Sequence, residues 1–340
     1  MFRIIVSTFL LSFCIDSFLF AQEVNIYTSR HYDSDYDLYE EFTKKTNIKV
    51  NILSGKGGAL LERLKAEGKN SPADIFFTVD AGNLWKVQKE GLFQSIESPK
   101  VLRIVPSNLR GPNDEWTAIA KRARVIFYNR STVSKNEIRN ISYESLADEQ
   151  WRGRVLIRSS SNMYNQSLVA SLIAKNGEQA TEAWGKSLVK NLARKPQGND
   201  RAQIIAVANG EADIAVANSY YIGIMLSGTA GEEQREAAKK VQMVFPNQQG
   251  SGAHINISGA GILKYAPNPN NANLFLEFLL SDKVQKHMVS KSYEYPIVNV
   301  AMSKEMSGFG LDFKEDNTSV KVYGEMNPDA IRLMDRAGWK

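Results

Sequence analysis

Apolar residues along the chain fall into short continuous runs alternating with stripes of helical period. Val24 to Thr28 (VNIYT) and Ile48 to Leu53 predict strands, and Ala73 to Asp80 (ADIFFTVD) predicts a buried one because its apolar character is unbroken. Between them Leu38, Tyr39 and Phe42 mark a helix, with Ser34 and Asp37 spaced as a capping box. Leu60, Leu61 and Leu64 share a face in a second helix, and a third through Leu84, Trp85 and Val87 stops at Gly91. Trp116 to Tyr128 reads as one long strand or two in tandem. A helix follows around Tyr143 to Trp151, then the strand RVLIRS, the polar cluster Ser159 to Asn162, and a helix through Leu168, Val169, Leu172 and Ile173. GEQATEAWGKSLVKNLA and DRAQIIAVANGEAD predict two helices leading to the apolar strand Ile214 to Ala217. Asn218 and Ser219 then offer N-cap chemistry for a helix through Ile222, Ile224 and Met225. VQMVFP is a strand, GSGAHINISGAGILK a Gly-rich turn with a second crossing strand, Asn270 to Ser290 helical, and Pro328 to Trp339 a last amphipathic helix. This alternation predicts an α/β protein with mixed sheets flanked by helices.

Length changes the picture first, because 340 residues with 43% hydrophobic and 23% charged content suffice for two cores. Residues 1–21 read as a secretory signal: Arg3, an apolar stretch broken only by Asp16, and a small residue at Ala21. A membrane anchor is the alternative, but Asp16 leaves the run shorter than the roughly 20 residues a span needs. The only cysteine, Cys14, lies inside that segment, so cleavage would exclude disulfides and thiolate metal sites. The net charge of +5 contains no long run of like charges, which argues against nucleic acid as a partner.

The chemistry gathers where strands give way to helices. Tyr220 and Tyr221 open a helix after a buried strand, so both can lean toward one point, at the sheet end where open α/β folds hold ligands. Taken alone, the pair is more plainly read as core filler with wetted hydroxyls. Tyr164 sits at a similar junction, and Arg30-His31-Tyr32 stands where the first strand ends. The turn SGKGG lacks the phosphate-loop spacing, and GAG at Gly259 to Gly261 does not complete a dinucleotide fingerprint. No Ser/His/Asp set and no pair of catalytic carboxylates with a nucleophile is present in the pattern, which argues against an enzyme.

The HY pair near the start, SGKGGALLERLKAEG with SPADIFFTVD, KRARVIFYN, NGEADIAVANSYY and GAHINISGAGILK with EYP resemble the ferric-iron-binding periplasmic proteins of bacterial ABC transporters, in particular the cyanobacterial-type group. The similarity covers nearly all of the chain after residue 21, in order, and its most specific element is the tyrosine pair. It implies a two-lobed, type 2-like periplasmic solute-binding protein. The signal would occupy 1–21, the first lobe 22–120 plus about 256–340, and the second lobe 121–255, with hinge strands between lobes and the ligand in the cleft. It further implies phenolate ligation of Fe(3+) by Tyr32 from the first lobe and by Tyr164, Tyr220 and Tyr221 from the second. His31 is left open, since relatives differ on whether the residue before the first tyrosine binds metal. Water or carbonate would complete the shell, a monomer is expected, and the partner would be an inner-membrane permease.

Independently of the resemblance, a hard trivalent cation prefers oxygen donors, and a phenol becomes a good anionic one once the metal displaces its proton. Four phenolates around it leave one excess negative charge, for which a guanidinium is the fitting neighbour. Arg124, Arg122 and Arg201 are candidates, Arg124 first. The nearest rival is an oxyanion-binding protein of the same architecture, holding sulfate or phosphate on Ser159 to Asn162 and the Gly-rich turns.

Overall fold

A computed structural model of the chain describes residues 22–30, 32–309 and 312–340, so the segment expected to be a secretory signal, Cys14 and His31 lie outside the described residues. The chain opens with β1 (Glu23–Thr28), α1 (Asp35–Thr46), β2 (Lys49–Ser54), α2 (Gly57–Glu67), β3 (Ile75–Val79), α3 (Ala81–Lys89) and α4 (Pro99–Ile104). β1 lies between β2 and β3, parallel to both, in the register expected of strands joined by covering helices.

The stretch read as one strand or two is a single strand, β4 (Thr117–Asn129), buried along nearly its whole length. Then come α5 (Lys135–Ile138), β5 (Val155–Leu156), α6 (Met163–Asn176), α7 (Glu178–Asn191), α8 (Asp200–Ala208), β6 (Ile214–Asn218), α9 (Tyr220–Ser227), α10 (Glu232–Lys240) and β7 (Val241–Val244). The chain returns through β8 (Ile255–Ile262) to α11 (Pro269–Leu279), α12 (Asp282–Lys291), α13 (Lys304–Ser307), α14 (Lys321–Glu325) and α15 (Asn327–Arg336).

β4 serves both lobes. From Thr117 to Ala123 it pairs antiparallel with β8, whose other edge pairs with β3. From Arg124 to Asn129 it pairs with β6 on one side and β7 on the other. The change of partner falls where the Arg124 amide donates to the His254 carbonyl, 2.9 Å away. Arg122 and Arg124 therefore share a face of the strand on either side of the handover.

Several expectations about the elements need correction. Ser34 is itself in helical conformation and caps nothing with its side chain; the neighbouring Asp35 is instead drawn inward to Arg30. The capping box that does form is Ser134 with Glu137 on α5. Tyr143 to Trp151 makes two short 3-10 turns, Glu144–Ala147 and Glu149–Trp151, because Asp148 between them is extended. Only Val155 and Leu156 of RVLIRS pair as a strand.

The residues from about 256 to 340 were expected in the first lobe, yet the end of the chain packs in the second. Ala330, Leu333 and Met334 of α15, with Trp339, share a core with Trp151, Leu168, Trp184 and Val216. α14 straddles the two lobes, lying against α3 and α6. Gly324 permits this approach, because a Cβ there would stand 2.1 Å from the Trp85 ring.

Candidate functional site

Each of the four tyrosines sits where an element begins or ends facing the cleft. Tyr32 follows the end of β1, and its carbonyl accepts the Asp35 amide at the start of α1 (3.0 Å). Tyr164 is in the first turn of α6, its amide capped by the Asn162 side chain (3.2 Å). Tyr220 and Tyr221 open α9 directly after β6. Ser219, expected to cap that helix, does not: its hydroxyl accepts the Ala123 amide (3.3 Å) and ties the junction to β4 instead.

The fold brings these four rings together from both lobes. Tyr32 meets Tyr220 edge to face across the cleft, with centroids 6.2 Å apart, and Tyr220 lies 4.2 Å from Tyr221. Burial pushes the Tyr220 hydroxyl well up, and the neighbouring Tyr164, Tyr32 and Tyr221 push it further. The Tyr32 hydroxyl is raised by burial and by Glu294, against the pull of Arg122 and Arg30. Tyr221 is raised by burial, then by Tyr164 and Asp200. Four phenols thus lie within electrostatic reach of one another, and in the absence of a cation these three stay protonated at neutral pH. The Tyr220 hydroxyl is fully buried and makes no hydrogen bond of ordinary geometry.

Four guanidiniums surround the rings. Arg30 lies 4.6 Å from the Tyr32 centroid and Arg122 lies 5.4 Å from that of Tyr220, while Arg124 and Arg158 flank Tyr164 at 5.9 and 5.6 Å. Arg30 pairs with Asp35 (2.7 Å) and Glu294 (3.0 Å), and Arg122 pairs with the same Glu294 (2.7 Å). Arg124 pairs with Asp200 (2.6 Å) and also donates to Asn165 and Asn218; Arg158 stands 3.5 Å from the other Asp200 oxygen. These four cations are paired with three carboxylates, and a fourth buried carboxylate, Asp80, lies within the field of Arg122.

Of the arginines proposed from sequence, Arg122 and Arg124 join the cluster and Arg201 does not. Its guanidinium turns toward α10 and donates to Gln234 (3.4 Å). Arg30, Arg158, Asp35, Asp200 and Glu294 escaped sequence reasoning. Arg30 carried a positional signal, standing with Tyr32 at the end of the first strand. Glu294 and Asp200 carried none, because pairing across 172 or 76 residues leaves no local mark.

A cavity of about 730 Å³ opens beside Tyr32, lined in part by Ser29, Arg30, Tyr36, Lys56 and Asn83. Among the described residues no group of three or more His, Cys, Asp or Glu side chains can hold a metal. The side chains gathered here are phenols, which as phenolates suit a hard, highly charged cation, with guanidiniums beside them to offset their charge.

Residues 70–308 match the model of the bacterial extracellular solute-binding protein family. The sequence is 49% identical to iron uptake protein A1 of Synechocystis sp., over 94% of this chain and 88% of that protein. Among solved structures, the FutA (IdiA) protein of Trichodesmium in complex with iron and citrate is 51% identical with a TM-score of 0.90, covering 94% of this chain and all of that one. The ferric binding protein of Campylobacter jejuni is 39% identical with a TM-score of 0.87, covering 93% and 100% respectively. With its two lobes, its crossing strands and this similarity along nearly the whole chain, the protein belongs to the bacterial extracellular solute-binding proteins, within the cyanobacterial-type ferric-binding group.

Proposed function

We propose that this protein binds ferric iron in the interlobe cleft through the phenolates of Tyr32, Tyr164, Tyr220 and Tyr221, and delivers it to an inner-membrane ABC permease. The single observation that carries the reading is the meeting of four tyrosine rings, one from the first lobe and three from the second, inside a ring of guanidiniums. Iron uptake and ferric binding are the stated roles of the relatives, and the donor set fits that cargo. An oxyanion is the poorer match, because the buried guanidiniums already have carboxylate partners and the space between them is filled by phenol rings. His31 adjoins the first ligand, and water or carbonate completes the shell. The protein acts as a monomeric, periplasmic carrier with no catalytic step.

Iron would bridge the lobes and favour the closed form through its extra ligand there, and the closed form is what the permease would recognise. Protonation of the phenolates or reduction of the metal would then loosen it. The test is an absorbance spectrum on adding a ferric salt. Tyrosinate ligation gives a visible charge-transfer band absent from the iron-free protein and weakened by Tyr220→Phe. A colourless protein that still binds ferric iron would end the phenolate reading.

A further inference from the structure

We infer that Glu294 is a positioning residue of the iron site: its single carboxylate holds Arg30 and Arg122 against the rings of Tyr32 and Tyr220, the two tyrosines that meet across the cleft. The inference rests on the ferric reading above and extends it to a residue that touches no phenol.

Every acceptor position of Glu294 is used. The side chain is completely buried. One oxygen accepts from Arg30 Nη1 (3.0 Å) and the Ser292 hydroxyl (3.0 Å), and the other accepts from Arg122 Nη2 (2.7 Å) and the Ser258 hydroxyl (2.5 Å). Arg30 comes from the loop that carries Tyr32, Arg122 from β4 and Ser258 from β8. One carboxylate therefore ties the first-lobe ligand loop to both crossing strands. Buried ion clusters of this kind seldom stabilise a fold more than well-packed apolar residues would, so what Glu294 supplies is placement.

The backbone is shaped to deliver it. Tyr293 has a φ of +59°, a conformation that bulky residues adopt rarely and under strain. Tyr295 exchanges two backbone hydrogen bonds with Lys121, both 2.7 Å, beside Arg122. The Tyr293 ring lies directly on α9 at Gly223, where a Cβ would fall 2.4 Å from it. The helix that presents Tyr220 and Tyr221 thus rests on the residue next to the one that fixes the guanidiniums.

The test uses the full chain loaded with ferric citrate and titrated with acid while the visible band is followed. In Glu294→Gln one oxygen becomes an NH2 donor, and whichever way the amide turns it faces a guanidinium, so one of the two arginines must leave its ring. The expected result is a folded protein whose band is retained but shifted, because the guanidinium that leaves uncovers its phenolate. An unchanged band would overturn the inference. The acid midpoint is read in Arg122→Lys, which keeps the Glu294 charge that itself raises Tyr32: one ammonium cannot both reach Glu294 and cover the Tyr220 ring, so the midpoint should rise by about half a pH unit or more, as a phenolate losing a nearby cation requires. No shift there would also overturn the inference, and this variant decides alone if Glu294→Gln does not fold. A wild-type protein that gives no band would instead defeat the ferric reading, and the two failures are thereby distinguished.

Discussion

Tyr220→Phe should close the iron-free protein while depriving it of iron, two effects of opposite sign from one oxygen atom. The Tyr220 hydroxyl is fully buried, and the Tyr221 hydroxyl meets it only outside ordinary hydrogen-bond geometry. A buried polar group so poorly satisfied costs about 1–3 kcal/mol, and opening the cleft relieves that cost by returning the hydroxyl to water. Phenylalanine fills the same space without the penalty. The iron-free equilibrium should therefore move toward the closed form by roughly 5–150-fold. Iron affinity should fall by more than the about 10–100-fold typical of losing an outer-shell partner, since a direct ligand is gone. Small-angle scattering of both iron-free proteins reads the first effect as a smaller radius of gyration in the variant. Equilibrium competition with citrate reads the second. A variant as open as the wild type, or one that keeps its iron affinity, would refute the reasoning.

Three further outcomes follow from the same geometry. Because Tyr32, Tyr220 and Tyr221 are held protonated before loading, binding of one ferric ion near neutral pH should expel at least about three protons in a pH-stat, corrected for the chelate used; about one or fewer would rule out ligation by these three phenols. His254 is buried with both ring nitrogens unpartnered, and burial pushes its pKa down to about 3. Below about pH 6.5 the unfolded chain takes up a proton there that the native state refuses, so stability falls as pH drops from about 6.5 to 3, by an amount on the order of 4–5 kcal/mol. Denaturant melts of iron-free His254→Leu should lose that part of the acid dependence, and an identical acid limb in the variant would contradict it. Gly223→Ala adds a methyl group where Tyr293 already lies and should cost about 1–3 kcal/mol while weakening iron binding through displacement of α9; a chemical melt and the citrate competition check it.

Much of this was legible in the sequence because strand ends and helix starts are local events. The run from Ile214 to Ala217 could only be a buried strand, so Tyr220 and Tyr221 had to stand at its carboxyl end, and Tyr164 was placed by the same logic. The long strand from Trp116 announced a crossing, although its length could not say whether one strand or two made it. What stayed hidden was non-local. Arg201 and Arg124 look alike in one dimension, yet the side of α8 on which Arg201 falls sends it to Gln234 while Arg124 points inward from β4. α15 was assigned with its neighbours in sequence, but its apolar stripe fits the second core, and nothing within the helix records that choice. The Ser34 to Asp37 spacing suggested a cap, and a buried ion pair between Arg30 and Asp35 overrode it.

The distribution of charge between the lobes suggests why iron should close the cleft at all. On the second lobe, Tyr164, Tyr220 and Tyr221 stand beside Arg124 and Arg158, which share the one carboxylate of Asp200. Ferric iron held there by three phenolates would be neutral, and the spare guanidinium would leave the site with one positive charge. On the first lobe, Tyr32 lies over Arg30, and the pair Arg30 and Arg122 is matched by the pair Asp35 and Glu294. Asp80, buried just after β3 within the field of Arg122, adds a further carboxylate on that side. The second lobe thus offers three phenols with a guanidinium in excess, and the first offers one phenol with a carboxylate in excess. Closing on a cation would bring these opposite excesses together, which lowers the cost of shutting the cluster away from water. Reduction of a trivalent ion would take one positive charge out of that closed cluster, so release would follow from the same charges that favour closure, carried by side chains that need not touch the metal.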